Sequence, residues 1–177
     1  MTDSKTTLSI TTIQSFLHWE DKEANLKMFR EKIDSVSDKM EIAVLPEMFS
    51  TGFSMNPERF AETMDGPTVE WMRATAMEKR IILTGSIIIR DDEKFYNRFI
   101  WMLPSGQFGV YDKRHLFGFA GEDKYYDAGN KRLIASVNGW KINCIVCYDL
   151  RFPVWVRQST HHLDTNPSPE YDVIICV

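Results

Sequence analysis

The chain has 177 residues, 44% of them hydrophobic and 26% charged, with a formal charge of −4. That balance fits one folded domain with a sizeable core and excludes a disordered chain. The acidic charge without a basic stripe leaves no footprint for nucleic acid, no apolar run approaches the ~20 residues of a membrane helix, and "MTDSKTTLSI" is not a secretory signal.

"LSITTIQ" (8–14) alternates apolar and polar residues and predicts a strand. Residues 20–36 place Leu26, Phe29, Ile33 and Val36 on one face of a helix. "EIAVLP" (41–46) is a short apolar strand that stops at Pro46, and a loop follows to about Gly66. Pro67 opens a helix to about Arg80, with Val69, Met72 and Ala76 on its buried face. "IILTGSIIIR" (81–90) and "KFYNRFIWML" (94–103) read as paired strands, and "QFGVYDK" (107–113) as the next. A loop runs to about Lys131. "RLIASV" and "WKINCIVC" flank Asn138-Gly139, a hairpin dipeptide. Pro153 permits a helix to about His161, and "YDVIICV" is the last strand. Helices packed on sheet, an α/β layered domain, follow from this order.

Three cysteines without a secretory signal point to free thiols and a cytoplasmic protein. The one Asn-x-Ser/Thr match, at Asn166, is disqualified by Pro167. Cys144 and Cys176 lie inside apolar strands and read as core residues. Cys147 is different, because Tyr148, Asp149 and Arg151 follow it directly in "INCIVCYDLRFPVW". A strand that ends in a thiol and turns into a helix at Pro153 presents that thiol at the sheet edge, beside free backbone N–H groups. A Cys-x-x-Cys metal site is disfavoured, since residues i and i+3 of a strand point to opposite faces and four ligands are lacking.

A nucleophilic thiol needs a base and a donor-rich place for an oxyanion. Glu47 follows "AVLP", and Lys113 follows "QFGVYD", each at the end of a strand. Ligands gather at the C-terminal ends of such strands. A Cys–His pair is a competing arrangement, with His115, or else His161 or His162, as the base.

"VLPEMFSTGF" (44–53), "YDKRHLF" (111–117) and "CYDLRFPVW" (147–155) resemble the three signature segments of the nitrilase superfamily, the carbon–nitrogen hydrolases, and most of all its ω-amidase branch. The resemblance implies a four-layer α-β-β-α sandwich, dimerised through helices. It implies Cys147 as nucleophile, Glu47 as general base and Lys113 as oxyanion-stabilising lysine. A second acid falls on Glu122 in "FAGEDKYY", with Asp123 as the neighbouring alternative. The Tyr148 N–H becomes a second oxyanion donor.

The implied activity is hydrolysis of a small carboxylate-bearing amide, of the 2-oxo acid ω-amide type, through a thioester and without metal or cofactor. Arg151 is the expected partner of the substrate carboxylate, its alternative being an ion pair with Asp149. Phe49, Phe53 and Phe117 are candidate pocket walls, with core packing as the alternative. Members of the family continue beyond "YDVIICV", so the expectation is a single hydrolase domain over 1–177, truncated after the strand at about 171–177. A non-catalytic or inactive truncated relative is the alternative function.

Overall fold

The computed structural model describes residues 7–158 and 169–177. Its strands are β1 (Ile10–Thr12), β2 (Ile42–Val44), β3 (Ile82–Asp91), β4 (Lys94–Met102), β5 (Phe108–Asp112), β6 (Leu133–Val137), β7 (Trp140–Ile145) and β8 (Val173–Cys176). Its α-helices are α1 (Lys22–Ser35), α2 (Pro57–Phe60), α3 (Pro67–Lys79) and α4 (Pro153–Val156).

The long helices start and stop where local chemistry dictates. Asp21 caps α1 by accepting the Ala24 N–H at 3.0 Å. Pro67 stands in the first turn of α3, where a missing N–H costs nothing, and Arg80 closes that helix in the left-handed region at φ 56°.

Two sheets form. The first has the order β1-β2-β3-β4-β5 and the second β6-β7-β8. β1, β2 and β3 are parallel, while β4 runs antiparallel to both β3 and β5. β5 therefore runs in the same direction as β2, and their C-terminal ends share one edge of the sheet.

Alternation within β2 separates two cores. Ala43 and Leu45 face Phe29 and Ile33 of α1 and Met72 and Ala76 of α3. Ile42 and Val44 join Phe99, Trp101 and Tyr111, and meet Ile142, Cys144 and Val146 across the sheet–sheet gap. Strands buried on both faces read as continuous apolar runs, as β2 does, while β3 is buried over its first eight residues with Thr84, Gly85 and Ser86 among them. Each fully buried side chain of this size contributes about 1.5–3 kcal/mol.

The molecule is thus a mixed α/β sandwich: a helix layer, a five-stranded sheet and a three-stranded sheet. The fourth layer of the expected sandwich is not formed by the described residues. Two expectations about single elements need correction. The loop after Glu47 contains the short helix α2. The helix from Pro153 stops at Val156 rather than near His161, because Arg157 is extended at φ −59°, ψ 151°. Gln158 bonds the backbone of Glu170 and Tyr171, just ahead of β8. His161, His162 and Asn166 lie outside the described residues.

Candidate active site

Glu47 leaves the end of β2 on a segment locked to β3. The Leu45 N–H donates to Thr84 O, and the Met48 N–H donates to Ser86 Oγ at 2.9 Å. This segment crosses β3 so closely that a Cβ on Gly85 would stand 2.9 Å from both Leu45 and Phe49. Met48 adopts a left-handed backbone, φ 44°, which re-aims the chain straight after Glu47.

Lys113 follows β5. Its N–H donates to Asn97 O, and its own carbonyl accepts from Gly129 N. Buried Arg98 grips the preceding Asp112 through two bonds of 2.6 and 2.9 Å. Gly129 is required here, since a Cβ would sit 2.1 Å from Asp112 O.

Cys147 follows β7, in the second sheet, and opens a 3₁₀ turn over Cys147–Arg151. Its φ is 43°, a conformation that L side chains rarely adopt. Its N–H donates to Val177 O at 2.7 Å, tying the turn to β8. The thiol is exposed, whereas Cys144 is buried between the sheets. The two therefore diverge, as alternation in a strand requires. Cys176, also in a strand, is exposed rather than buried in the core, and its Sγ lies 3.8 Å from Cys147 O.

The three strand ends converge. Lys113 Nζ, wholly buried, lies 2.8 Å from Glu47 Oε1 and 3.1 and 2.9 Å from the two oxygens of Glu122. Burial works against the ammonium charge, but the two carboxylates outweigh it and hold its pKa above the ordinary lysine value. Burial, followed by the charge of Glu47, pushes the Cys147 thiol up to about 11 against the pull of Lys113. The thiol thus keeps its proton at neutral pH, with the carboxylate that can take it close enough for its charge to act on the sulfur.

Glu122 is fully buried, and its Oε2 also accepts the Phe117 N–H at 2.6 Å. The adjacent Asp123 is exposed. Phe117 packs on Tyr148 at 5.0 Å, next to the nucleophile. As second residue of its 3₁₀ turn, Tyr148 has an N–H with no acceptor inside the turn. Phe53 lies under the lysine, 5.2 Å from Nζ.

Three other residues singled out in the sequence have the following surroundings. Phe49 is a core residue: it is fully buried and packs edge-on against Phe29 at 5.7 Å. Arg151 is exposed and lines a surface depression with Arg114, His115, Phe152 and Trp155. It makes no ion pair with a described residue, so the expected alternative with Asp149 falls. Asp149 instead binds the Tyr111 hydroxyl and His115. His115 is stacked on Phe152 at 3.7 Å. Two polar residues that chain order alone did not single out are Asn97, bonded to Glu47 and Glu122, and Asp149 in its buried network. Asn97 had one signal: it interrupts the apolar stretch of β4.

Among the described residues, no group of three or more His, Cys, Asp or Glu side chains is placed to hold a metal ion. No helix among them is long and apolar enough to cross a membrane.

A sandwich that gathers a carboxylate, a buried lysine and a strand-end thiol at one edge has the framework of the carbon–nitrogen hydrolases. The family profile matches residues 7–162, and the chain belongs to the carbon–nitrogen hydrolase family. It is 41% identical to the omega-amidase YafV of Escherichia coli K12 over 150 residues, covering 85% of this chain and 58% of that protein. It is 29% identical to the 2-oxoglutaramate amidase of Bacillus subtilis over 155 residues, covering 86% of this chain and 60% of that one. Among solved structures, XC1258 of Xanthomonas campestris, a CN-hydrolase superfamily protein with an arsenic adduct in its active site, superposes with a TM-score of 0.90 at 37% identity. That match covers 96% of this chain and 64% of the other. The chain thus spans about 58–60% of the length of these two curated relatives.

Proposed function

We propose that the chain carries the catalytic centre of an ω-amidase-like carbon–nitrogen hydrolase, which cleaves a small carboxylate-bearing amide of the 2-oxo acid ω-amide type to the acid and ammonia. The observation that carries this reading is the contact of Lys113 Nζ with both Glu47 and Glu122, beside a thiol on which the charges of Glu47 and Lys113 both act. The names of the E. coli and B. subtilis relatives supply the substrate class.

In this reading Glu47 takes the proton of the Cys147 thiol as sulfur attacks the amide carbon. Lys113 and the Tyr148 N–H bind the oxyanion. The C–N bond breaks, and the leaving nitrogen takes the proton held by Glu47 and departs as ammonia. A thioester remains on Cys147. Glu47 then takes a proton from water, whose oxygen attacks the thioester. The C–S bond breaks, the acid is released, and the proton on Glu47 returns to sulfur.

Glu122 holds Lys113 through both of its carboxylate oxygens. Phe117 and Phe53 wall the pocket, and Arg151 receives the substrate carboxylate. The chemistry uses these side chains with no metal or cofactor. A single domain over 1–177, a cytoplasmic setting and a homodimer complete the proposal. The non-catalytic alternative has less support, because Glu47, Lys113 and Glu122 remain within bonding distance through the lysine and the thiol stands under the charges of the first two.

Ammonia release from a 2-oxo acid ω-amide tests the proposal. Wild-type protein should release ammonia, and Cys147→Ala and Glu47→Gln should not. Turnover that survives Cys147→Ala would sink it.

A further inference from the structure

Glu47 and Glu122 face one lysine, and two carboxylates so placed repel each other. The residue that lies between them is Asn97, in the middle of β4 and fully buried. Its Nδ2 is 2.8 Å from Glu47 Oε1 and 3.1 Å from Glu122 Oε1. Those same two oxygens also accept from Lys113 Nζ. The backbone carbonyl of Asn97 accepts the Lys113 N–H at 3.0 Å. One residue therefore touches the base, the second acid and the lysine.

The amide orientation follows from chemistry. With the group reversed, its oxygen would face two carboxylate oxygens and lose both bonds. In the orientation present, Oδ1 is buried with no hydrogen-bond partner among the described residues. Native proteins seldom leave such an atom unsatisfied. The site accepts that cost, and both N–H groups of the amide go to the carboxylates.

We infer that Asn97 is the positioning residue of this site. It pins Glu47 by Oε1, together with Lys113, and so leaves Oε2 as the oxygen that faces the thiol; it also bridges Glu47 to Glu122 by a neutral donor. This inference rests on the proposed function for its kinetic consequence only. The arrangement of Glu47 against Cys147 can be read without turnover.

The test is Asn97→Ala in the full chain, with two readouts. The first is the rate of Cys147 alkylation by iodoacetamide from pH 7 to 11. The groups that act electrostatically on this thiol are Glu47, Lys113 and Cys176. If Asn97 pins Glu47, its loss frees the carboxylate to swing away, and alkylation at pH 8 becomes several-fold faster. The second is amide hydrolysis, where kcat falls about 10²-fold with KM little changed, as expected of a base misplaced by about 1 Å. A folded Asn97→Ala protein with the wild-type alkylation profile overturns the inference. If the alanine variant does not melt cooperatively, Asn97→Ser, too short to span both carboxylates, is scored by the same criterion. Faster alkylation in a protein whose wild type hydrolyses no ω-amide supports the role of Asn97 and removes the proposed substrate instead.

Discussion

One oxygen of Asp149 accepts both the backbone N–H and the Nδ1–H of His115, at 2.9 and 2.8 Å. Its other oxygen accepts the Tyr111 hydroxyl at 2.7 Å and the Val146 N–H at 3.1 Å. Asp149 is fully buried and sits two residues past Cys147; His115 sits two past Lys113. The pair clips the lysine segment of one sheet to the nucleophile turn of the other. Trp155 adds a bond to the Tyr111 hydroxyl at 3.1 Å.

The first prediction tests that clip. Asp149→Ala leaves the Tyr111 hydroxyl, the His115 ring and the Val146 N–H short of an acceptor. Bonds to a charged group contribute about 1.5–3 kcal/mol each. The variant should lose at least about 3 kcal/mol, a fall of at least about 6 °C in Tm for a chain of this size. A Tm within about 2 °C of wild type would show that the two sheets are held together elsewhere.

The second prediction separates His115 from the base. His115→Asn keeps a side-chain N–H for Asp149 and should hold hydrolysis within about tenfold of wild type. General base removal typically costs about 10²–10⁴, so a loss of that size would reinstate the Cys–His arrangement. The contacts of His115 with Asp149, Phe152 and Trp155 describe a packed, bonded ring.

Much of this architecture was legible in the chain. Alternation at 8–14 and short apolar or β-type runs elsewhere located the eight strands to within a few residues. Pro67 marked the start of α3 by local chemistry, whereas the Asp21 cap of α1 was found only in the structure. The positions of Glu47, Lys113 and Cys147 at strand ends were legible from those runs. Their convergence was less so, since two come from one sheet and the third from the other, and sheet-to-sheet packing leaves no local signal. Phe49 shows the limit. Its place in "EMF" suggested a pocket, but the left-handed turn at Met48 carries it back into the helix–sheet core. Asn97 was hidden inside an otherwise strand-like segment, where a buried amide is chosen by partners far away in the chain.

The third prediction concerns Lys113. Lys113→Met keeps the length of the side chain and removes its charge, leaving Glu47 and Glu122 without their common cation. Breaking a buried ion pair from one side costs about 3–5 kcal/mol. Stability should fall by about that much at pH 7. Hydrolysis should fall by at least about 10²–10³ through the lost oxyanion donor. Unchanged urea denaturation together with unchanged turnover would remove Lys113 from both roles.

The last prediction uses the thiol itself and works against intuition. Glu47 raises the Cys147 pKa by its charge, in addition to the effect of burial. Replacing Glu47 with Gln removes the charge and leaves Lys113 to favour the thiolate. The alkylation midpoint should therefore move down from about 11. Glu47→Gln should react faster with iodoacetamide at pH 8 while losing amide hydrolysis, because alkylation needs only a thiolate and hydrolysis needs a proton acceptor. The sign for stability follows from the same shift. A thiol whose pKa is higher folded than free, about 8.5 free, adds stability that is complete below that value. That contribution is lost as pH rises through about 11. Tyr111, raised mainly by burial and then by Asp149, adds to the same alkaline loss. Melting temperature should thus decline above about pH 8.5 in wild type and decline less in Glu47→Gln. Slower alkylation in Glu47→Gln would mean that the carboxylate activates the thiol in the resting protein, and that it lowers the thiol pKa instead of raising it.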